Sequence, residues 1–227
     1  MKLFCLLTLL ISGNTLFAQI VINDKNEIID LPTQDFDQIT IDFNADNIWK
    51  PPSFIEVNPK ESRGIHLYLS YSFTLLKNLN FSPGLGISSF NLSTNILEWK
   101  VDSTNNYYIF LPDSINFLKN KLSANYVEIP LEFRIHTNPN KRGQQFTWTI
   151  GFKTGYQFRS YKKIKYDDVK RKDFNINGLN PLRYGVITRI GFGRIYITAF
   201  YSLSTLFKKD FGPDLTPFSV GVSILTL

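Results

Sequence analysis

Few side chains of this chain have the types and spacing that catalysis needs. The 227 residues include two histidines and one cysteine, too few for a multi-histidine or cysteine metal site. His66 lies near Ser70 and Ser72 in sequence, and with Glu128 these residues could form the Ser–His–acid set of a hydrolase. Nothing in their spacing requires that set. We therefore expect no enzymatic activity, no metal and no cofactor.

Charged residues alternate with apolar ones in a regular pattern. From residue 126 to residue 136 every second residue is apolar, and Glu128, Glu132 and Arg134 lie between them. Side chains on a strand point alternately to two faces, so the segment predicts a strand with one apolar and one charged face. Across all such segments, the polar face receives the following charged residues: Asp42, Glu128, Glu132, Arg134, Lys153, Arg159 and Arg189.

Eight segments share this two-residue rhythm, at lengths suited to crossing a bilayer as tilted strands. They cover residues 39–44, 65–73, 79–90, 126–136, 146–161, 184–193, 195–204 and 218–225. The mean hydropathy of −0.10 and the aromatic content of 15% agree, because only alternate residues would meet lipid and aromatic girdles flank the apolar band. The predicted fold is all-β, an eight-stranded antiparallel transmembrane β-barrel with up-and-down (meander) connectivity.

Two soluble folds compete with this prediction, a periplasmic β-sandwich and a lipocalin-like closed barrel, both of which would turn the apolar face inward. The gaps between the segments alternate in length, and the longer ones are expected at the cell surface. The second long gap contains possible strand extensions at residues 96–101 and 107–111. Pro83 and Pro130 each remove a hydrogen-bond donor, so bulges or irregular pairing are expected there.

The interior of an eight-stranded barrel is just wide enough for side chains to fill it. The seven charged residues above are therefore predicted to form a lumen charge network of three acids and four bases. Such a network could be an ion or proton path, or a paired core that fixes the strand register. We favour the paired core and do not expect an open pore.

The N-terminal residues are typical of an export signal. Lys2 precedes an apolar run at residues 3–11, and cleavage after Ala18 follows from the small residue there. This interpretation divides the chain into a cleaved signal peptide (1–18), an N-terminal periplasmic segment (19–37) and the barrel domain (38–227). It predicts Sec-dependent export to the outer membrane of a Gram-negative bacterium, with the barrel-insertion machinery as a partner during biogenesis.

Positive charge is concentrated in two predicted outer loops. The net charge of +6 falls to +5 without Lys2. Fixed cations at the headgroup level attract lipid phosphates, and the residues predicted to make these contacts with lipopolysaccharide are Lys162, Lys163, Lys165, Lys208 and Lys209. The alternative is an ordinary solvated loop, partly neutralised by Asp167, Asp168, Asp173 and Asp210. Nucleic acid is not an expected partner for an exported chain, despite an isoelectric point near 9.3.

Three stretches carry a family resemblance. They are Lys119-Asn120-Lys121-Leu122 continuing to Tyr126-Val127-Glu128-Ile129-Pro130-Leu131, Asn180-Pro181-Leu182-Arg183-Tyr184-Gly185, and Tyr201-Ser202-Leu203-Ser204-Thr205-Leu206-Phe207-Lys208-Lys209 with Gly212-Pro213 after it. They resemble the Bacteroidetes porin-family outer-membrane barrels, often called PorT-like. The resemblance implies an eight-stranded barrel at the cell surface and carries over no catalytic residues.

The function expected from the sequence is a non-enzymatic outer-membrane barrel that displays surface loops and docks a lipid or a protein partner. Assistance to a secretion or motility assembly follows only from the family name. The alternatives are a narrow solute channel and a hydrolase that modifies lipid A.

Overall fold

A computed structural model describes residues 38–101, 106–110, 117–166 and 169–226. The predicted signal peptide (1–18) and periplasmic segment (19–37) lie outside these residues. The described part of the chain is all-β, and none of its residues form a helix that is long and apolar enough to span a membrane. Its strands are β1 (Gln38–Trp49), β2 (Arg63–Ser70), β3 (Phe73–Leu76), β4 (Leu79–Ser93), β5 (Ile96–Val101), β6 (Asn106–Phe110), β7 (Phe117–His136), β8 (Phe146–Tyr166), β9 (Val169–Phe174), β10 (Leu182–Phe192), β11 (Ile195–Ser202) and β12 (Thr216–Thr226).

Eight of these strands form a closed antiparallel ring. The order around the ring is β1, β2, β4, β7, β8, β10, β11 and β12, and the pairing of β12 with β1 closes it. Each strand pairs with its neighbours along the chain, as in a meander. The predicted eight-stranded antiparallel barrel is therefore confirmed.

The remaining strands extend or cover this ring. β3 pairs with the first residues of β4, β9 pairs with the last residues of β8, and β5 pairs with β6 in a separate hairpin. The predicted strand extensions in the second long gap correspond to β5 and β6. The predicted strands at residues 126–136 and 146–161 are longer in the structure, because β7 and β8 remain paired through residues whose lysine-rich sequence looked like loop.

The apolar face of the ring points outward. In β11, Ile197 is 68% exposed and the next residue, Thr198, is 2% exposed. The same alternation occurs in β7, where Ile129 and Phe133 are exposed and Glu128 and Glu132 are buried. A soluble protein rarely exposes so large a continuous apolar surface. The sandwich and lipocalin alternatives, which require an inward apolar face, are therefore wrong.

The connections differ in length at the two ends of the ring. At one end, here named the short-turn end, β10 and β11 are joined by Gly193 and Arg194 alone. Gly193 has a φ of 62°, a left-handed conformation that glycine adopts without steric cost. At the other end, here named the long-loop end, longer connections join β1 to β2, β4 to β7, β8 to β10, and β11 to β12.

A β-bulge in β8 corrects part of the predicted face assignment. Asn125 pairs with Arg159 and Tyr126 pairs with Gln157, so Phe158 is an additional residue in β8. A bulge of this kind shifts the alternation of every residue beyond it. The prediction that Arg159 faces the lumen is therefore wrong: its side chain is exposed, and its Cζ lies 5.0 Å from the ring centroid of Phe174.

The two prolines cause a smaller irregularity. Pro83 pairs with Leu131 and Gly86 pairs with Glu128 in one unbroken register, while Gly84 and Leu85 between them have no partner in β7. The ladder is interrupted as expected from the missing proline donor. The bulge itself lies elsewhere, at Phe158.

The orientation of the faces can be tested with arginine at two depths. Ile150 lies near the middle of the outward apolar run of β8, whereas Ile195 adjoins the two-residue turn. We expect Ile150→Arg to lower the free energy of unfolding by about 2–4 kcal/mol and Ile195→Arg by about 0–1 kcal/mol, because the cost of arginine falls toward the membrane interface. Urea unfolding of the protein in lipid vesicles measures both. Equal costs would contradict the outward assignment of Ile150.

Candidate functional site

A group of buried charged residues fills the ring between the two ends. One half is centred on Arg189 of β10, which is 2% exposed. Its Nη2 donates to Asp42 Oδ2 at 2.9 Å, its Nε donates to Ser223 Oγ at 3.2 Å, and its Nη1 donates to Glu132. Glu132 also accepts a hydrogen bond from Arg134 Nη2 at 3.0 Å. Arg189 thereby joins β10 to β1, β7 and β12.

The other half is centred on Glu128 of β7, which is 1% exposed. Its Oε1 accepts hydrogen bonds from Arg183, and its Oε2 accepts one from the Tyr68 hydroxyl at 2.5 Å. Lys153 Nζ lies 3.2 Å from Glu128 Oε2 and donates to the Tyr68 oxygen at 3.0 Å. The two halves meet at Tyr68, whose ring centroid lies 5.8 Å from Arg189 Cζ.

We name these seven buried charges the interior ionic network: Asp42, Glu128, Glu132, Arg134, Lys153, Arg183 and Arg189. Together with its direct contacts, the network draws on every strand of the ring. Tyr68 represents β2, Ser88 of β4 accepts from Arg183 at 2.7 Å, and the Phe200 ring of β11 lies 4.0 Å from Lys153 Nζ. Because a one-residue slip of any strand would turn its residues to the opposite face, these contacts fix the register of the whole ring.

Two glycines of β8 make room for the carboxylates of β7. Gly155 pairs with Glu128 and Gly151 pairs with Glu132. A Cβ at Gly155 would lie 2.7 Å from Glu128 Cγ, and one at Gly151 would lie 3.0 Å from Glu132 Cγ. Glycine is therefore required for the close approach of the two glutamate side chains to β8.

Toward the long-loop end the interior becomes apolar. Residues from the strand ends, such as Ile48 and Leu122, pack with loop residues such as Phe207 and Leu215 in one buried cluster. The complete cluster, here named the loop cap, consists of Ile48, Ile55, Phe90, Leu92, Ile96, Leu122, Ala124, Tyr126, Leu179, Leu206, Phe207 and Leu215. It contacts the ionic network directly, because Arg183 Cζ lies 4.0 Å from the ring centroid of Tyr126.

Backbone hydrogen bonds join the loops of the cap in pairs. Asn58 N donates to Ser93 O at 2.9 Å, which ties the β1–β2 loop to the end of β4. Asn180 N donates to Leu206 O at 2.9 Å, and Lys208 N donates to Gly178 O at 2.9 Å, which ties the β8–β10 connection to the β11–β12 loop. The described segments of the long-loop end are thus held together by backbone hydrogen bonds.

Six of the seven residues predicted to line the lumen lie in the buried interior: Asp42, Glu128, Glu132, Arg134, Lys153 and Arg189. Arg159 is the exception described above. Arg183, which lies just outside the predicted strand at residues 184–193, takes its place in the network. Arg183 has the same parity as Gly185 and Arg189, so extending the alternation of β10 past Tyr184 would have found it. Asp46 was missed for the same reason, because β1 continues beyond Asn44.

The residues predicted to contact lipid phosphates separate into two groups. Lys162 is 9% exposed and its Nζ donates to Ile96 O at 3.3 Å, so its prediction is wrong: the bulge at Phe158 turns it inward. Lys163 and Lys165 are half-buried on the opposite face, and Lys208 and Lys209 are exposed in the β11–β12 loop. Four of the five thus remain accessible from outside.

The hydrolase hypothesis is not supported by the arrangement of the described residues. His66 is 1% exposed, its Nδ1 lies 3.1 Å from Asn44 Nδ2 and 3.7 Å from Asp42 Oδ2. Glu128 is occupied by Arg183, Lys153 and Tyr68 instead. The described His, Cys, Asp and Glu residues also form no group of three that could hold a metal ion.

A family model agrees with this architecture. Residues 36–211 match the model described as "Outer membrane protein beta-barrel domain". The chain belongs to this family. Its place is therefore the outer membrane. No curated protein matches the chain.

Two solved structures are similar to this outer-membrane barrel. One is Ail, the attachment invasion locus protein of Yersinia pestis, in complex with the heparin analogue sucrose octasulfate, with 12% identity and a TM-score of 0.35 over 85% of this chain and 100% of that chain. The other is a triple mutant of the Rh. blastica porin, with 8% identity and a TM-score of 0.20 over 85% of this chain and 99% of that chain.

The energetic role of the ionic network can be measured at Glu128. We expect Glu128→Ala to lower the free energy of unfolding by about 3–5 kcal/mol, because it leaves Arg183 and Lys153 buried without their carboxylate. Glu56→Ala removes an exposed carboxylate from the β1–β2 loop and is the matched control, with an expected change within about 0.5 kcal/mol. Urea unfolding in vesicles measures both. A cost at Glu128 no larger than at Glu56 would show that the network does not stabilise the ring.

Proposed function

We propose that this protein is a non-conducting, non-enzymatic outer-membrane barrel whose folded long-loop end docks a lipid or protein partner at the cell surface. The observation that carries this proposal is the filled interior. Two successive layers, the interior ionic network and the loop cap, occupy the space through which a solute would have to pass.

The ionic network argues against the alternative of a narrow solute channel. Its charges are paired with one another rather than lining a free path, and separating a buried pair costs about 3–5 kcal/mol. A solute would have to separate Arg189 from Asp42 and Glu132, or Glu128 from its two cations. It would then meet the loop cap, whose packed apolar side chains would also have to separate.

The loop cap supports a docking role for the same end of the barrel. In outer-membrane barrels the longer loops lie outside and the short turns face the periplasm, so we infer that the long-loop end is at the cell surface. Its loops hold one another in a defined shape, and a preformed surface loses less conformational entropy when a partner binds. Lys208 and Lys209 are exposed on this end beside the exposed Asp210.

We infer that residues 1–18 are a cleaved Sec signal and that the barrel-insertion machinery assembles the ring in the membrane. The PorT-like resemblance of the segment from Lys119 to Leu131 supports a surface role within that subfamily. It also suggests, through the family name, assistance to a secretion or motility assembly.

Conductance measurements distinguish docking from transport. We expect the protein, purified in its heat-modifiable compact form, to produce no stable single-channel steps in planar bilayers, because both interior layers are closed. Compact mobility before heating is the control that silence comes from a folded barrel. Reproducible conductance steps from that preparation would overturn the proposal in favour of a channel.

Lipid A analysis tests the absence of hydrolase activity. We expect identical lipid A mass spectra from cells with and without the protein, since His66 is buried with Asp42 and Asn44 and is separated from the lipid-facing surface. A deacylated species that appears only with the protein, and disappears in His66→Asn, would contradict this expectation.

A further inference from the structure

Six lysines share one face of the strands that extend beyond the ring at the long-loop end. Two rows of direct cross-strand partners run across β7, β8 and β9. The first row consists of Lys119, Lys165 and Lys170, and the second of Lys121, Lys163 and Lys172. We name these six residues the lysine ladder.

The ladder occupies the outward face of the extension. On the inward face of the same strands, Asn120, Leu122, Lys162 and Ile164 are buried. The ladder residues are half-buried on β7 and β8 and exposed on β9. Asp173 points away from the ladder, because it is the cross-strand partner of Lys162 and forms an ion pair of 3.0 Å with Arg171.

The arrangement places like charges directly opposite one another in both rows. Adjacent strands lie about 4.8 Å apart, and like charges directly opposite each other destabilise a sheet. Among the described residues, no carboxylate lies within 4.0 Å of any of the six ammonium groups. Burial lowers the pKa of the Lys121 ammonium, and the charge of Lys119 acts in the same direction, whereas Tyr161, Asp46 and Glu61 act to raise it. Like charges therefore face one another along both rows, and a bound polyanion would relieve their repulsion.

Aromatic rings separate the ladder from the apolar wall. Lys172 Nζ lies 4.1 Å from the ring centroid of Tyr161 and 4.9 Å from that of Phe174. Below them on β8, Tyr156 and Phe158 are 63% and 58% exposed on the outward face. Aromatic side chains of this kind mark the level where the membrane meets water, so the ladder lies just beyond that level and on the side that faces lipid.

We propose that the lysine ladder binds the phosphate groups of lipid A in the outer leaflet. The proposal deepens the docking role and rests on the inferred surface position of the long-loop end. A lipid is the occupant because the ladder continues the outward face of the wall, and Lys172 of its second row lies against the aromatic rings of Tyr161 and Phe174. Lysine supplies a compact charge with several donors, and two rows can bind more than one phosphate.

Binding of lipid A to the full-length barrel tests this proposal. The ladder variant is Lys121→Gln/Lys163→Gln/Lys172→Gln, and the matched control is Lys77→Gln/Lys141→Gln/Arg142→Gln, which removes the same charge from exposed turns at the short-turn end. Native mass spectrometry of the folded protein in detergent, titrated with lipid A, measures the apparent Kd of each. We expect the ladder variant to bind on the order of a hundredfold more weakly, from the contribution of each lysine near an anionic surface, and the control within about threefold of wild type.

Further arms identify the ligand and separate folding defects from binding defects. Lys121→Arg/Lys163→Arg/Lys172→Arg keeps the charge and should retain binding within about threefold, while wild type should bind dephosphorylated lipid A as weakly as the ladder variant binds lipid A. If the ladder variant does not show heat-modifiable mobility, it is not folded and its affinity is not interpreted. The affinities of the wild-type protein for lipid A and for dephosphorylated lipid A then test the proposal. Equal affinity for both lipids, equal loss in the control variant, or ladder-dependent binding of heparin without binding of lipid A would each overturn the proposal. Because none of these outcomes involves conductance, failure here is distinguishable from failure of the non-conducting docking role.

Discussion

The structure depends on the requirement that charges inside the ring be paired. A carboxylate such as Glu128 is stable in a low-dielectric interior only when cations and hydrogen-bond donors surround it, and here these come from β2, β8 and β10. Arg189 imposes the same condition on β1, β7 and β12. Every strand must therefore be in its correct register before the charges are satisfied. The outward apolar face, in contrast, would tolerate many registers, since lipid does not distinguish one leucine position from another.

The interior ionic network and the loop cap close different levels of the barrel. The ionic network lies among the central parts of the strands, where glycines at 151 and 155 let the glutamates approach the neighbouring backbone. The loop cap excludes water by apolar packing, and the cation–π contact between Arg183 and Tyr126 joins one layer to the other. Loops that are held by an apolar core and by backbone hydrogen bonds can present surface groups in fixed positions. The packing that closes the interior therefore also fixes the positions of the surface loops.

Alternation of residue types was sufficient to predict the strands of the ring, their faces and most of the buried charges. Its failures occurred where the period of two is interrupted or where a strand continues into polar sequence. Phe158 adds one residue to β8, and without a view of β7 nothing distinguishes Arg159 from an inward residue. Arg183 lies two residues after Asn180-Pro181. Because this dipeptide is typical of a turn, the predicted strand began only at residue 184, whereas β10 begins at Leu182. The pairing of β9 with β8 depends on a partner strand, so the lysine-rich segment alone looked like a loop.

The bulge at Phe158 divides β8 into two parts whose side chains alternate between the faces in opposite phase. Up to that residue, odd-numbered positions such as Lys153 face the interior and even-numbered positions face lipid, whereas beyond it Lys163 and Lys165 face outward and Lys162 faces inward. Loss of one residue at this point would keep the composition and length of the segment almost unchanged, yet it would turn Lys163 and Lys165 inward and Lys162 and Ile164 outward. In this protein, the amount of positive charge on the outward face of β8 is therefore set by the number of residues in the strand as much as by their identity.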